Sequence, residues 1–262
     1  MLETTRYEGR QRVRGSLALA LLLGVFSLLI IYIFPSIAES AADIDAMIEA
    51  LPESFRKGFG AETYTTIEGF VAAELYQFVW VLLLGLYMAY TAGGTVADDV
   101  ESGRLHLVLA TPIARTQLVL EKFLALFVPI GVLSLVVPLF VFGGSLAIDY
   151  PLDPFYLVAV HVLTLPYLLV CAGIGLLLSV LFDRGDVAQR GGIAVIFLLF
   201  LLDSVTAGTD VDWLGAVSPT RYVDPTDILL HETLDLGDPV LLLGVALGLV
   251  FLSIVAFADR DI

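Results

Sequence analysis

The chain has 262 residues, 58% of them apolar and 16% charged, with a mean hydropathy of +0.93. Soluble domains run nearer roughly 45–50% apolar and about 25% charged, so this composition excludes a disordered chain and argues against an ordinary soluble enzyme. Cys171 is the single cysteine, which excludes an intrachain disulfide framework and a cysteine-cluster metal site, and a formal charge of −15 argues against a nucleic-acid partner. Of the 13 basic residues only Lys57 and Lys122 are lysines, and acid excess with scarce lysine has the character of a salt-loving, archaeal-like source.

Crossing about 30 Å of hydrocarbon at 1.5 Å per residue takes about 20 mostly apolar residues. Six stretches meet that demand, at about 17–37, 70–92, 118–148, 155–181, 191–207 and 240–258. The expected fold is therefore all-α, a polytopic membrane protein in a single domain covering 1–262. Ahead of the first span, Arg6, Arg10 and Arg14 repeat every four residues, which places them on one helix face; residues 1–16 read as a basic interfacial helix. A basic stretch followed by an apolar run also has the outline of a signal peptide. The run of about 18 residues is longer than the usual 7–15 of a signal core, so it reads as a retained span.

The segment 38–69 carries Ile44, Met47, Ile48 and Leu51 at the spacing of one helix face, among acids. The third span holds Pro129 and Pro138, which kink a membrane helix where neighbours satisfy the freed carbonyls. The fifth is the weakest, ending at Asp203 or continuing to about 207. Residues 203–239 set apolar positions among acids, with Pro219 and Pro225 as breakers, and read as short helices against the outer surface.

Arginine and lysine fix the orientation. Arg6, Arg10, Arg12, Arg14, Arg104, Arg115, Lys122, Arg184, Arg190 and Arg260 fall on one side; Arg56, Lys57 and Arg221 fall on the other. The basic side is expected to be cytoplasmic, with both termini there and the protein multi-pass in the cell membrane. The acids sort oppositely, and the net charge sits on the outer loops.

Chemistry-bearing motifs are sparse. Neither lysine is followed by Ser or Thr, so no phosphate-cradling loop of the usual kind is present. His231-Glu232 begins like a zinc-protease motif, but Asp235 stands where the second His belongs. Glu74, His161 and Asp203 are ionisable groups within spans, each near an outer end and expected to reach the interface. Catalytic, cofactor-binding and metal-binding residues are all expected to be absent.

The informative stretch joins the second and third spans. Acids precede Gly103, an apolar helical segment runs to Pro112, and Arg115 follows. Such a segment can enter a groove on a soluble partner, its apolar anchors giving affinity and its charges register. The spacing Asp99-x-Glu101-x-Gly103-x-Leu105, then Leu107, Leu109-Ala110-Thr111-Pro112 and Arg115, resembles the Glu-x-x-x-Gly-Thr-Leu…Leu-Leu-x-x-Pro-x-Ser-Arg signature of type-2 ABC transporter permeases. Lys122 resembles the lysine that commonly follows that arginine, and Phe257-Ala258-Asp259-Arg260-Asp261 resembles the family's Phe-x-x-Arg-Asp ending. Asp99, Arg104 and Ala114 depart from the usual Glu, Thr and Ser.

The resemblance implies a permease subunit forming half of a translocation path. It would pair with a second permease copy or homologue in the lipid bilayer, and with ABC ATPase subunits that hold ATP and Mg. Export would be the usual direction. A short cytoplasmic coupling helix would link the two. In it Asp99 and Glu101 would supply charge contacts, Gly103 a turn, Leu105 and Leu109 apolar anchors, and Pro112 a stop before Arg115. The alternatives are an ATP-independent secondary transporter or channel, or a membrane assembly scaffold. A secondary transporter would call for broken helices at matched positions or paired midplane carboxylates, which the sequence does not clearly offer.

Overall fold

In a computed structural model of the chain, the described residues are 3–51, 56, 62–105 and 113–260. Among them there are helices and no strands. Six helical runs are long and apolar enough to cross a membrane, as their composition requires: with no water in the hydrocarbon, each backbone donor and acceptor must be satisfied within the chain.

The first run, α1 (Glu3–Ala38), is one unbroken helix, so the basic segment continues directly into the span. A short α2 (Ala41–Glu49) follows at the acidic end. There Ile48 is buried while Met47 and Leu51 are exposed, so the apolar stripe anticipated for 38–69 is only partly used. The second span, α3 (Ile67–Glu101), begins at Thr66, whose hydroxyl accepts from the Gly69 amide at 3.2 Å. Its middle, Ala72–Leu83, is wound as a π-helix, a form that appears mostly as single-turn bulges and often at functional places.

The third span is two helices, α4 (Arg115–Ala125) and α5 (Phe127–Ala147), meeting at Leu126; Pro129 lies in the first turn of α5 and Pro138 within it. The fourth is also divided, into α6 (Pro154–Leu163) and α7 (Leu165–Leu181), with Thr164 between them and Pro166 just inside α7. Asp153 caps α6 through the Phe155 amide at 2.7 Å. The fifth span, α8 (Gly185–Thr206), starts well before the predicted 191, because polar Asp186, Gln189 and Arg190 extend the helix beyond its apolar part. Two 3-10 turns (Asp212–Val217 and Pro219–Tyr222) and α9 (Pro225–Leu229) then lead to α10 (Gly237–Ala258). Pro219 and Pro225, read from sequence as breakers, are first residues of their turns, where a fixed φ and a missing N–H cost nothing.

The core forms where α7 packs on α3 and α10, and α8 on α3; α1 lies along α4 and α5. Within its most apolar stretch the second span is 78% buried against 28% for the first, fifth and sixth, which leaves those three broad apolar faces for lipid or another subunit. Small residues let the central helices approach. A Cβ added at Gly93 would stand 2.8 Å from Gln189 Cα, and one at Gly192 3.0 Å from the Ala89 carbonyl oxygen, so both positions exclude larger side chains.

Of the three ionisable groups expected to reach the outer interface, two are part-buried and hydrogen-bonded to a neighbouring hydroxyl. Glu74 accepts from the Tyr64 hydroxyl at 2.7 Å, and Asp203 from the Thr220 hydroxyl at 3.2 Å. His161 does not reach that interface. Its ring is 2% exposed, held edge-on against Trp80 at 4.6 Å and Tyr76 at 5.2 Å. The break at Thr164 and the π-helical stretch bring these aromatic rings together, which residue spacing alone could not reveal.

Candidate functional site at the basic end

Lys122 is the centre of a charge network at the end of the molecule where α1, α3, α4 and α8 meet. Its ammonium lies 2.5 Å from Glu8 of α1 and 2.7 Å from Asp99 of α3, with its side chain 3% exposed. Arg104 approaches the other Asp99 oxygen at 3.0 Å, and Arg12 approaches Glu8 at 3.3 Å. Two carboxylates around one buried ammonium satisfy its charge, and breaking such a pair from one side is strongly unfavourable.

Next to Lys122 on α4, buried Glu121 accepts from the backbone amides of Thr4 at 2.9 Å and Thr5 at 3.4 Å. Those are unbonded donors at the start of α1, and a carboxylate there also suits the positive end of the helix dipole. The same device recurs on α3: Glu101 accepts from the Gly185 amide at 2.8 Å, at the first turn of α8. Ser179 of α7 accepts from the Val96 and Ala97 amides, each at 2.9 Å, tying α3 to α7 immediately before the acidic cluster that starts at Asp98. A polar cavity of about 630 Å³ adjoins the network, with Tyr7, Arg12, Thr95, Asp98 and Gln189 on its walls.

The predicted coupling residues distribute as follows. Asp99 and Glu101 are held inside the chain, on Lys122 and on Gly185. Gly103 has φ +71° in a turn closed by its amide on the Val100 carbonyl at 3.1 Å. Leu105 is 1% exposed, within the core. Leu109 and Pro112 lie outside the described residues. Arg115 opens α4 and donates to the Arg260 carbonyl; Arg260 in turn donates to the Val180 carbonyl at 2.8 Å and pairs with Asp183. The two ends of the 99–115 segment are thus each fastened to a different span. Sequence reasoning missed Glu8, Glu121, Ser179 and Asp183. Glu121 beside Lys122 in a largely apolar span was the available signal.

The family profile described as ABC-2 family transporter protein matches residues 46–211, more than half of the chain, from α2 into the loop after α8. This chain belongs to the ABC-2 transporter family. The six apolar runs and this membership make it a multi-pass membrane permease of an ABC transporter. An ABC-2 membrane domain is the permease component and not itself catalytic, and membership implies ATPase partners in a membrane setting. A comparison with curated proteins returns no match.

Proposed function

We propose that this ABC-2 permease exports its substrate as half of a path completed by a second permease copy or homologue. Separate ATPase subunits, which hold ATP and Mg, drive it through residues 99–115. The basic end then faces the cytoplasm in the cell membrane, with both termini there and the chain acting as one permease domain. This follows the excess of Arg and Lys at that end.

The observation that carries this reading is the double fastening of the segment. On one side Asp99 holds Lys122 and Glu101 holds the start of α8; on the other, Arg115 holds the Arg260 carbonyl. A push on the intervening residues therefore reaches α1, α4, α8 and α10 together. In this reading Leu109 and Pro112 form the tip that enters the ATPase, and Leu105 seats the segment on the permease. Gly103 makes the turn, while Asp99, Glu101 and Arg115 transmit displacement.

The test is co-purification of the cognate ATPase with the full chain and with a chain in which 106–112 is replaced by a flexible linker. Retention only by the intact chain supports the reading; equal retention overturns it. Orientation is tested with Cys171→Ala and His106→Cys combined. Labelling of residue 106 by a membrane-impermeant thiol reagent only after the inner face is exposed is the expected result.

A further inference from the structure

The first helix, α1, has two unlike sides. Gly9, Ser16 and Ala20 are buried, and a Cβ added at Gly9 would stand 3.1 Å from Val128 of α5. Arg6, Arg10 and Arg14 are exposed on another side of the helix. Leu17, Leu21 and Val25 are exposed as well and continue the arginine stripe, all six falling within about 100° of arc. One stripe is therefore basic at its start and apolar beyond. An exposed apolar face on a span meets hydrocarbon, so arginines in line with it face the adjoining headgroups.

The helix is about 54 Å long for its 36 residues, against about 30 Å of hydrocarbon and about 40–45 Å with both headgroup layers. Along its axis Arg14 stands about 4.5 Å before Leu17, Arg10 about 10 Å and Arg6 about 16 Å. Arg14 is thus within the headgroup layer, Arg10 at its edge, and Arg6 about a Debye length further out.

None of the three forms an ion pair or hydrogen bond among the described residues. Arg12, by contrast, turns to Glu8, which also holds Lys122. Glu3 lies at the far end of the segment from the hydrocarbon. Topology signalling counts charges and does not ask which face they take. Three of the four arginines nonetheless share the lipid-facing side.

We propose that this stripe selects anionic phospholipids, with headgroup phosphates on Arg14, Arg10 and Arg6 and acyl chains along Leu17, Leu21 and Val25. A guanidinium suits a phosphate because its planar fork donates two hydrogen bonds at once. The apolar continuation of the stripe makes a lipid, and not free phosphate, the occupant. The site depends neither on ATPase coupling nor on which leaflet the basic end meets.

The test uses the full chain with Cys171→Ala and Leu21→Cys, labelled with a bimane thiol dye. It is reconstituted in phosphatidylcholine containing brominated phosphatidylglycerol, which quenches the dye on contact. The same label at Leu252→Cys, exposed towards the same end of α10, reports a lipid contact where Arg260 is already engaged by Val180 and Asp183. Preference for the anionic lipid at residue 21 should exceed that at residue 252 by about fivefold for each arginine in contact, the equivalent of about 1 kcal/mol apiece. Arg14→Gln should lower it about fivefold. Arg6→Gln, Arg10→Gln and Arg14→Gln combined should bring the two positions level, while the corresponding three lysine substitutions should keep most of the preference. Equal preference at the two labels in the otherwise native chain would overturn the proposal, as would a preference that survives the triple glutamine change. Quenching of residue 21 by neither brominated lipid would also overturn it, since a second copy of the chain would then cover the stripe. The comparison of the two labels decides the matter even if the triple variant fails to fold.

Discussion

Lys122 and Asp99 lie 2.7 Å apart across the junction of α4 and α3, with Glu8 of α1 on the other side of the same ammonium. Removing the lysine leaves two part-buried carboxylates close together, each still held by one arginine, Asp99 by Arg104 and Glu8 by Arg12. Lys122→Met should therefore cost up to about 3 kcal/mol, the foot of the range for breaking a fully buried pair from one side, because the two arginines still compensate the carboxylates. Adding Asp99→Asn should recover part of that loss. Thermal unfolding in detergent, run as a double-mutant cycle, measures the coupling. Additive losses would mean the geometry carries no interaction energy.

Two buried tyrosines in the membrane core should respond oppositely to the same change. The Tyr167 hydroxyl donates to the Val81 carbonyl at 3.0 Å, within the π-helical stretch. Tyr167→Phe should cost about 1 kcal/mol, and more if the freed carbonyl finds no substitute. The Tyr76 hydroxyl is buried without a partner among the described residues. Tyr76→Phe should be neutral or stabilising by up to about 1 kcal/mol, since it removes a group left unsatisfied. Chemical-unfolding midpoints of the two variants, compared side by side, check both signs.

Spans were legible because crossing hydrocarbon imposes a length and composition that few other structures share. The helices at 17–37 and 240–258 needed no knowledge of tertiary packing. The site was legible only as an order of residue types. Asp99, Glu101, Gly103 and Arg115 stand out by their spacing, but the spacing does not say that Glu101 turns inward to the Gly185 amide or that Arg115 reaches Arg260. These are contacts between residues 84 and 145 positions apart. His161 went astray for a related reason. Its depth along α6 can be counted, whereas its burial depends on Trp80 and Tyr76 arriving from another span. Pro219 and Pro225 show the opposite ambiguity, since a proline opens a turn as readily as it ends one.

Asp224 offers a pH test at the acidic end. It caps α9 by accepting from the Thr226 amide at 2.8 Å and the Asp227 amide at 3.2 Å. Burial, with the nearby Asp227 charge, raises its carboxyl above the ordinary 3.8. The folded state therefore binds the proton more tightly than the unfolded state. Its contribution to stability is full below about pH 3.8 and falls as pH rises through the raised folded value. Asp224→Asn keeps a capping oxygen without the charge, so it should flatten this dependence and stabilise the protein at neutral pH. Melting temperatures across the acid-to-neutral range decide it; a steeper fall toward acid in the unmodified protein would show the wrong sign.

Gly103 holds φ +71°, and among the described residues nothing lies within 4 Å of where a Cβ would go, so backbone conformation sets a penalty there. A left-handed position costs an ordinary L-residue roughly 1–2 kcal/mol, and asparagine less. Gly103→Val should therefore impair ATP-dependent transport most, Gly103→Ala less and Gly103→Asn least, with membrane insertion unchanged in all three. Transport by reconstituted complexes gives the ranking. An equal effect of Asn and Val would mean that the turn's handedness is irrelevant.

Arg115 and Arg260 form a relay in which each needs the other. Arg115 donates to the Arg260 backbone, and the Arg260 side chain reaches the Val180 carbonyl and Asp183. Through it the start of α4 is fastened to the ends of α7 and α10. If displacement of the 99–115 segment passes along this path, Arg115→Ala and Arg260→Ala should each lower transport several-fold, and the double variant should be little worse than either. Two residues of one linkage lose their function when either is removed. Arg115→Lys separates charge from geometry, because an ammonium is a compact point charge without the rigid planar fork of the guanidinium. It should fall between the native protein and Arg115→Ala. ATP hydrolysis by the assembled complex should persist in all of these variants, since the change uncouples the permease without touching the ATPase. A fully additive loss in the double variant would place the two arginines on separate paths and leave the second fastening without a mechanical role.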